Sequence, residues 1–456
     1  MDTMELLVTN GKLITWSTPN QILEGYAIHI KNGCIAAIAR QDELLTQLTE
    51  IKQLDAHGQY IMPGLICAHT HFYGAFSRGM PIPGEPPKDF PDILQKLWWP
   101  LDLALDDEAI RYSVLVCLID AIRHGTTTVI DHHASPNWIG GSLDILAGAV
   151  EITGTRAALC YEVTDRNGFE GAKAGIEENV RFIRKVSSLS NEDKRLAAIF
   201  GLHASLTLSD DTMVACRQAA PVGIGFHIHV AEHEVDETDS INKSGMRVIE
   251  RLNRHHLLGP STLLVHGVHL DEHEIELVAE TDSWLTHQPR SNMNNGVGLP
   301  AIEKMLHSGI RVCLGNDGFS NTMWEEWKAA YLAHKLWNRD PRRMDASAVI
   351  KMGVYNNSNL ASMLFRTPIG MLVKGAQADL IFVDYHPYTP LTVDNLPWHI
   401  IFGFHESMVT TTIVGGKVLM DDRKLINLDE EAITSKAREM APKIWARYIE
   451  QRGINS

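Results

Sequence analysis

Eight short apolar runs, at residues 65–68, 127–130, 156–160, 197–202, 225–228, 262–265, 283–286 and 311–314, alternate with segments of helical spacing. Strands separated by helices pair in parallel, because each helix carries the chain back to the same end of the sheet. Eight such units between residues 61 and 364 are enough to close an α/β (β/α)8 TIM barrel, whose chemistry sits where strands end and βα loops begin. Both ends of the chain have another texture. Residues 5–59 hold short β-rich runs broken by Asn10-Gly11 and Asn32-Gly33, which reads as antiparallel sheet. The texture returns at 379–384 and 408–414 and in the hairpin-like Val414-Gly415-Gly416-Lys417-Val418. A small β-sandwich built from 1–60 and 365–428 is therefore expected beside a barrel at 61–364. The last segment, 429–456, places Ile433, Ala437, Met440, Ile444 and Tyr448 at helical spacing and reads as a helix packed on the body.

The composition excludes several classes. Hydrophobic residues make up 45% of the 456 and charged residues 21%, the balance of an ordinary globular protein. Against 41 basic residues stand 56 acidic ones, a net charge of −15, which argues against nucleic acid or an anionic membrane as partner. No run of eighteen apolar residues suggests a membrane span. Six cysteines lie far apart, without a Cys-x-x-Cys pair and without a secretory leader ahead of them, so a reduced cytoplasmic setting is expected.

The strand ends carry the chemistry. The first run ends in His69-Thr70-His71, the fifth in His227-Ile228-His229-Val230-Ala231-Glu232, the sixth at His266 and the eighth in Gly315-Asn316-Asp317-Gly318. A His-x-His pair can share one ion only where its strand ends and twists into a loop, since alternate residues of a strand face opposite sides. Neutral imidazoles with one carboxylate suit Zn²⁺, with Fe²⁺ as the alternative. A bound ion brings the pKa of its water to about 7. Expelling ammonia from an adduct then requires an acid nearby, and Glu232, three residues beyond His229, can deliver that proton.

These residues resemble the amidohydrolase superfamily, in its branch of mononuclear aminohydrolases that includes cytosine, guanine and S-adenosylhomocysteine deaminases and the triazine hydrolases. The resemblance runs from Met62-Pro63-Gly64-Leu65 through His69-Thr70-His71, His229-x-x-Glu232, His266-Gly267-Val268-His269-Leu270, His287-x-x-x-Ser291-Asn292 and Gly315-x-Asp317-Gly318 to Ala376-x-Ala378-Asp379-Leu380. Asp131-His132-His133-Ala134-Ser135-Pro136, Thr164-Asp165-Arg166-Asn167 and Arg290-Ser291-Asn292-Met293-Asn294-Asn295 resemble more closely the SsnA-type aminohydrolases, a resemblance that brings no settled substrate. It implies one divalent metal per chain held by His69, His71, His229 and Asp317, and a homo-oligomer, dimer or higher. It also implies that His266 hydrogen-bonds the attacking water, that Asp317 takes its proton, and that Glu232 protonates the substrate ring and then the leaving group. Two positions depart from the pattern: Ala204 follows His203 where relatives carry a small residue and Pro, and Asn316 stands where Thr or Ser is commoner.

Three further residues are candidates for the substrate. His203 ends the fourth run, Arg290 follows the seventh with a planar fork of donors, and His132 is preferred to His133 at the end of the second. His227, His269 and His287 read as packing or support. The Pro/Gly loop at 79–88 is placed to wall the pocket, and Trp98 and Trp99 read as core. The function expected is hydrolytic deamination of a small amino-substituted N-heterocycle such as a purine or pterin. The alternatives are an s-triazine chlorohydrolase, a cyclic amide hydrolase with a binuclear site, and a non-catalytic scaffold. Chloride needs no proton, a binuclear site would want a lysine where His203 stands, and a scaffold would be expected to have lost ligands.

Overall fold

The computed structural model describes residues 5–189 and 195–453. Each apolar run is a strand: Leu65–Thr70, Thr126–Asp131, Arg156–Leu159, Phe200–Ala204, Phe226–Val230, Leu263–His266, Trp284–His287 and Arg311–Leu314, taken below as the first to eighth parallel strands. The first seven are buried along their whole length, which is why they read as unbroken apolar runs rather than alternating ones. They form two parallel sheets, and the fourth run joins them. It breaks at Ile199 into Leu196–Ala198, paired with the third strand, and Phe200–Ala204, paired with the fifth. At the other edge a parallel bridge ties Thr70 to Asp317, so the eighth strand meets the first. Intervening helices begin at side-chain caps: Asp106, Ser209 and Asp271 accept from the amides of Ala109, Thr212 and Glu274.

The β-rich ends meet as a four-stranded and a seven-stranded sheet. Val8, Ile28, Ile61, Leu380, Phe382 and Ile413 fill one core between them. Asn32 and Gly33, with φ of 51° and 79°, make the tight turn between Tyr26–Lys31 and Cys34–Arg40. The expectation of antiparallel sheet is corrected at two pairs. Glu5–Thr9 runs parallel to Gln53–Asp55, and Lys12–Ile14 parallel to Tyr60–Pro63. A helix, Gln41–Gln47, returns the chain before Gln53 and makes the first of these pairs possible. Residues 61–63, expected at the start of the barrel region, pair instead with Leu380–Val383.

Two contacts fasten the parts. Arg156, first residue of the third parallel strand, donates from Nε and Nη2 to the two carboxylate oxygens of Asp379 at 2.9 and 3.0 Å, both side chains being buried. The last helix, Glu430–Gln451, buries Ala437, Met440, Ile444 and Tyr448 against the body. It donates from Trp445, Arg447 and Tyr448 to the carbonyls of Phe76, Ala104 and Lys96, while Arg452 just beyond it reaches that of Pro83. Among the described residues no helix is long and apolar enough to cross a membrane.

Candidate metal centre

Three histidines from two strand ends point the same ring atom at one spot. His69 is held at Nδ1 by His227 Nε2 at 2.9 Å, His71 at Nδ1 by the His132 carbonyl at 2.6 Å, and His229 at Nδ1 by the His203 carbonyl at 2.8 Å. With each Nδ1 engaged, each Nε2 is left as the ligand atom, the usual way a supporting partner orients a metal histidine. The Nε2 atoms of His71 and His229 stand 3.2 Å apart, and Asp317 Oδ1 lies 3.0 Å from His71 Nε2 and 3.4 Å from His69 Nε2. Donors about 2.0–2.1 Å from a tetrahedral ion sit about 3.3 Å from one another, so the spacing is that of a four-coordinate site. His69 Nε2 is buried without a hydrogen-bond partner among the described residues, as a ligand atom would be.

The charge distribution agrees. Burial brings His69 down to about 3, keeping it a neutral donor although Asp317 pulls the other way. Burial also opposes a charge on His71, but Asp317 and Glu162 outweigh it and raise that ring to about 9. Burial works against the Asp317 carboxylate, yet His69 and His71 hold it well below the usual range. The place between these side chains thus favours positive charge, and the residues present fit a divalent ion.

Backbone geometry aims the groups. Asp317 and His266 have φ of 57° and 72°, in the left-handed region that costs a non-glycine residue about 1–3 kcal/mol. At the eighth strand end, Asn316 and Asp317 both donate their amides to the His69 carbonyl, and a Cβ on Gly315 would stand 2.6 Å from His69 N. Only glycine allows the strands to close that tightly.

Around the centre lie the acid–base candidates. His266, held at Nδ1 by Asn292 Oδ1 at 2.8 Å, places Nε2 3.2 Å from Glu232 Oε2 and 3.9 Å from Asp317 Oδ2. Burial and the neighbouring Asp317 charge push Glu232 well above the ordinary carboxylate range. Asn295 donates to Glu232 Oε1 at 3.3 Å and Ser291 to Asp317 Oδ2 at 2.6 Å. Ser291→Ala is expected to lower metal affinity or turnover by about 10–100-fold, read by metal titration beside an activity assay.

A cavity of about 260 Å³ opens onto these groups. His71, His203, His229, Glu232 and Asp317 line it, as do Ile82 and Phe90 from the predicted loop and its continuation. Not every candidate reaches it. Arg290 is instead bound by Glu326, by the Thr322 and Ser320 hydroxyls and by the Ser320 carbonyl, and does not line the cavity. Nor do His132 and His133. His132 stacks on His227 with centroids 4.4 Å apart, and His133 bonds Ser135. Trp98 and Trp99, expected as core, line the wall.

Two wall residues, Glu162 and Asp102, gave no sequence signal, and a third, Arg166, was noted only within the motif at 164–167. Glu162 lies two residues past the third run, near His71, His132 and His203 at 3.3, 3.2 and 3.8 Å. Asp102 and Arg166 pair at 2.6 Å beneath Trp99, whose ring centroid is 5.1 Å from the guanidinium carbon. Burial raises Asp102 to about 7 against the pull of Arg166.

Known proteins resemble this chain along nearly its whole length. The 5'-deoxyadenosine deaminase of Methanosarcina barkeri is 30% identical over 448 residues, covering 97% of this chain and 99% of that one. The 5-methylthioadenosine/S-adenosylhomocysteine deaminase of Thermococcus sibiricus is 32% identical over 422 residues, covering 91% and 94%. A zinc-bound crystal structure of an adenosine deaminase from Xanthomonas campestris superposes with a TM-score of 0.84 at 23% identity, over 97% of this chain and 98% of that one. The model of the amidohydrolase family matches residues 60–419. With its histidines and aspartate converging at the ends of parallel strands, this chain belongs to the amidohydrolase family.

Proposed function

We propose that this chain is a mononuclear, metal-dependent aminohydrolase that replaces an amino group on a nitrogen heterocycle with water and releases ammonia. The observation that carries the reading is the placement of Glu232: a buried carboxylate biased toward its protonated form, facing the cavity beside the converging Nε2 atoms. A hydrolytic centre with a proton donor at that point suits a leaving group that must depart as a neutral amine. The names of the two relatives from Methanosarcina barkeri and Thermococcus sibiricus, both deaminases of adenosine-type compounds, support it.

In this reading the parallel strands close as one (β/α)8 barrel, flanked by the β-sandwich of the two chain ends and covered by the last helix. His69, His71, His229 and Asp317 hold one ion, with zinc the first choice. When bound, such an ion supplies a water acidic enough to react at neutral pH. Asp317 accepts a proton at Oδ2, which Ser291 orients, and His266 steadies the attacking oxygen through Nε2. Glu232 gives its proton to the ring nitrogen, takes up the proton that Asp317 received from the water, and passes it to the departing amine; the hydroxyl proton of the adduct restores Glu232 as the carbonyl forms and ammonia leaves. The apolar wall, with Leu94, Leu97, Trp98 and Trp99, would exclude bulk water from the bound ring.

The test joins metal analysis to an ammonia-release screen over purines, pterins, pyrimidines, triazines and adenosyl nucleosides. One metal equivalent per chain, loss of ammonia release on chelation and its return with Zn²⁺ are expected. Two equivalents would overturn the mononuclear assignment, and silence from every compound with metal in place would overturn the deaminase.

A further inference from the structure

We propose that Glu162 and His203 form a paired hydrogen-bond acceptor that selects rings carrying a second amino group next to the nitrogen facing Glu232. The proposal deepens the deaminase reading and rests on it.

It begins with the tautomer of His203. Its Nδ1 lies 2.7 Å from Thr207 Oγ1, and that hydroxyl donates to the Ala204 carbonyl at 3.1 Å. With its single proton committed, the hydroxyl can only accept from the ring, so Nδ1 carries the imidazole proton and Nε2 keeps a lone pair. Nε2 stands 3.8 Å from Glu162 Oε2. That is beyond hydrogen-bonding distance, whereas a proton on Nε2 would draw the two together. The other carboxylate oxygen, Oε1, faces away from His203 toward Nδ1 of His71 and of His132, at 3.3 and 3.2 Å. Two acceptors, neither able to satisfy the other, therefore stand side by side in the cavity wall.

Such a pair calls for donors. An amino group offers two N–H bonds from one atom and can reach both acceptors, while a C–H at the same place leaves two buried acceptors unpaired. Position along the rim says which ring atom is read. Glu162, His203 and Glu232 follow the third, fourth and fifth parallel strands, which are neighbours. A ring whose nitrogen faces Glu232 presents its next perimeter atom toward His203 and Glu162. The substrate class is thus a diamino-type heterocycle, such as a 2-amino-substituted purine or pterin, in preference to an adenine ring with hydrogen there.

The experiment compares 2,6-diaminopurine with adenine, which differ by that one amino group, in calorimetric binding to zinc-loaded protein. Wild type is expected to bind the diamino ring about tenfold or more tightly. Glu162→Gln, compared with wild type at equal zinc occupancy, should lose most of that preference. Thr207→Val, which frees the His203 tautomer and leaves the carboxylate in place, should relax it too. Equal affinities in wild type, or equal losses for both rings in the two variants, would overturn the acceptor pair. Ammonia release is scored separately: a preserved binding preference with no ammonia from any compound of the screen overturns the deaminase reading and leaves the acceptor pair supported.

Discussion

Glu232→Gln is expected to lower ammonia release by about 10²–10⁴-fold while leaving bound metal unchanged. The amide has nearly the shape of the acid and keeps a partner in Asn295, so the cavity is conserved, but it has no proton to give. The pH dependence has a definite sign. A general acid works only while protonated, and the Glu232 pKa is raised by burial first and by the Asp317 charge second. Activity should therefore extend to higher pH than an ordinary carboxyl would allow and fall as this carboxyl ionises, and the residual activity of the variant should lack that limb. Stopped assays of ammonia across pH, with metal measured on the same samples, decide it. A variant as fast as wild type would remove the acid assignment and favour a leaving group, such as chloride, that departs without a proton.

Asp379→Ala should cost about 3–5 kcal/mol of stability, the penalty for leaving a buried charge without its partner. Arg156 and Asp379 are both fully enclosed, and Asp379 Oδ1 also accepts from the Gly415 amide at 2.7 Å, so one carboxylate serves the third parallel strand and the glycine turn of the β-sheet together. Urea unfolding measures the loss; a change below about 1 kcal/mol would mean that the pair is dispensable. Replacing both residues with apolar ones of similar volume is expected to recover much of the loss, because no lone charge then remains.

The parts legible in the sequence were those that repeat a local rule. Strands buried on both faces stand out as apolar runs, and His69, His71, His229 and Asp317 were visible because they end such runs. What was hidden depends on partners far along the chain. Arg290 looked like a free fork of donors, and its carboxylate, Glu326, lies on the helix Met323–Asn338, 36 residues later. Glu162 escaped notice because the third run stops at Cys160 while the chain continues as isolated bridges through Tyr161 and Val163, carrying the rim two residues further. Trp98 ends a π-helical turn, Leu94–Trp98, and Trp99 follows it, and both pack on buried apolar residues while also lining the cavity, a double role that helical spacing alone does not show. The parallel pairing of Gln53–Asp55 was equally out of reach, since the helix at Gln41–Gln47 carries only one buried residue, Leu44, to announce it.

The last helix has a consequence for how this enzyme can change. Trp445, Arg447, Tyr448 and Arg452 grip main-chain oxygens of the cavity wall at residues 76–104 and touch none of its side chains through those bonds. Carbonyl oxygens are the same whatever residue bears them, so Ile82, Phe90, Leu94 or Trp99 can be exchanged while the wall stays anchored. A mutant library confined to the lining would explore new substrates on a fixed frame. One that varied these four grips would move the frame itself, shifting selectivity through residues outside the cavity lining without altering a single residue that meets the ring.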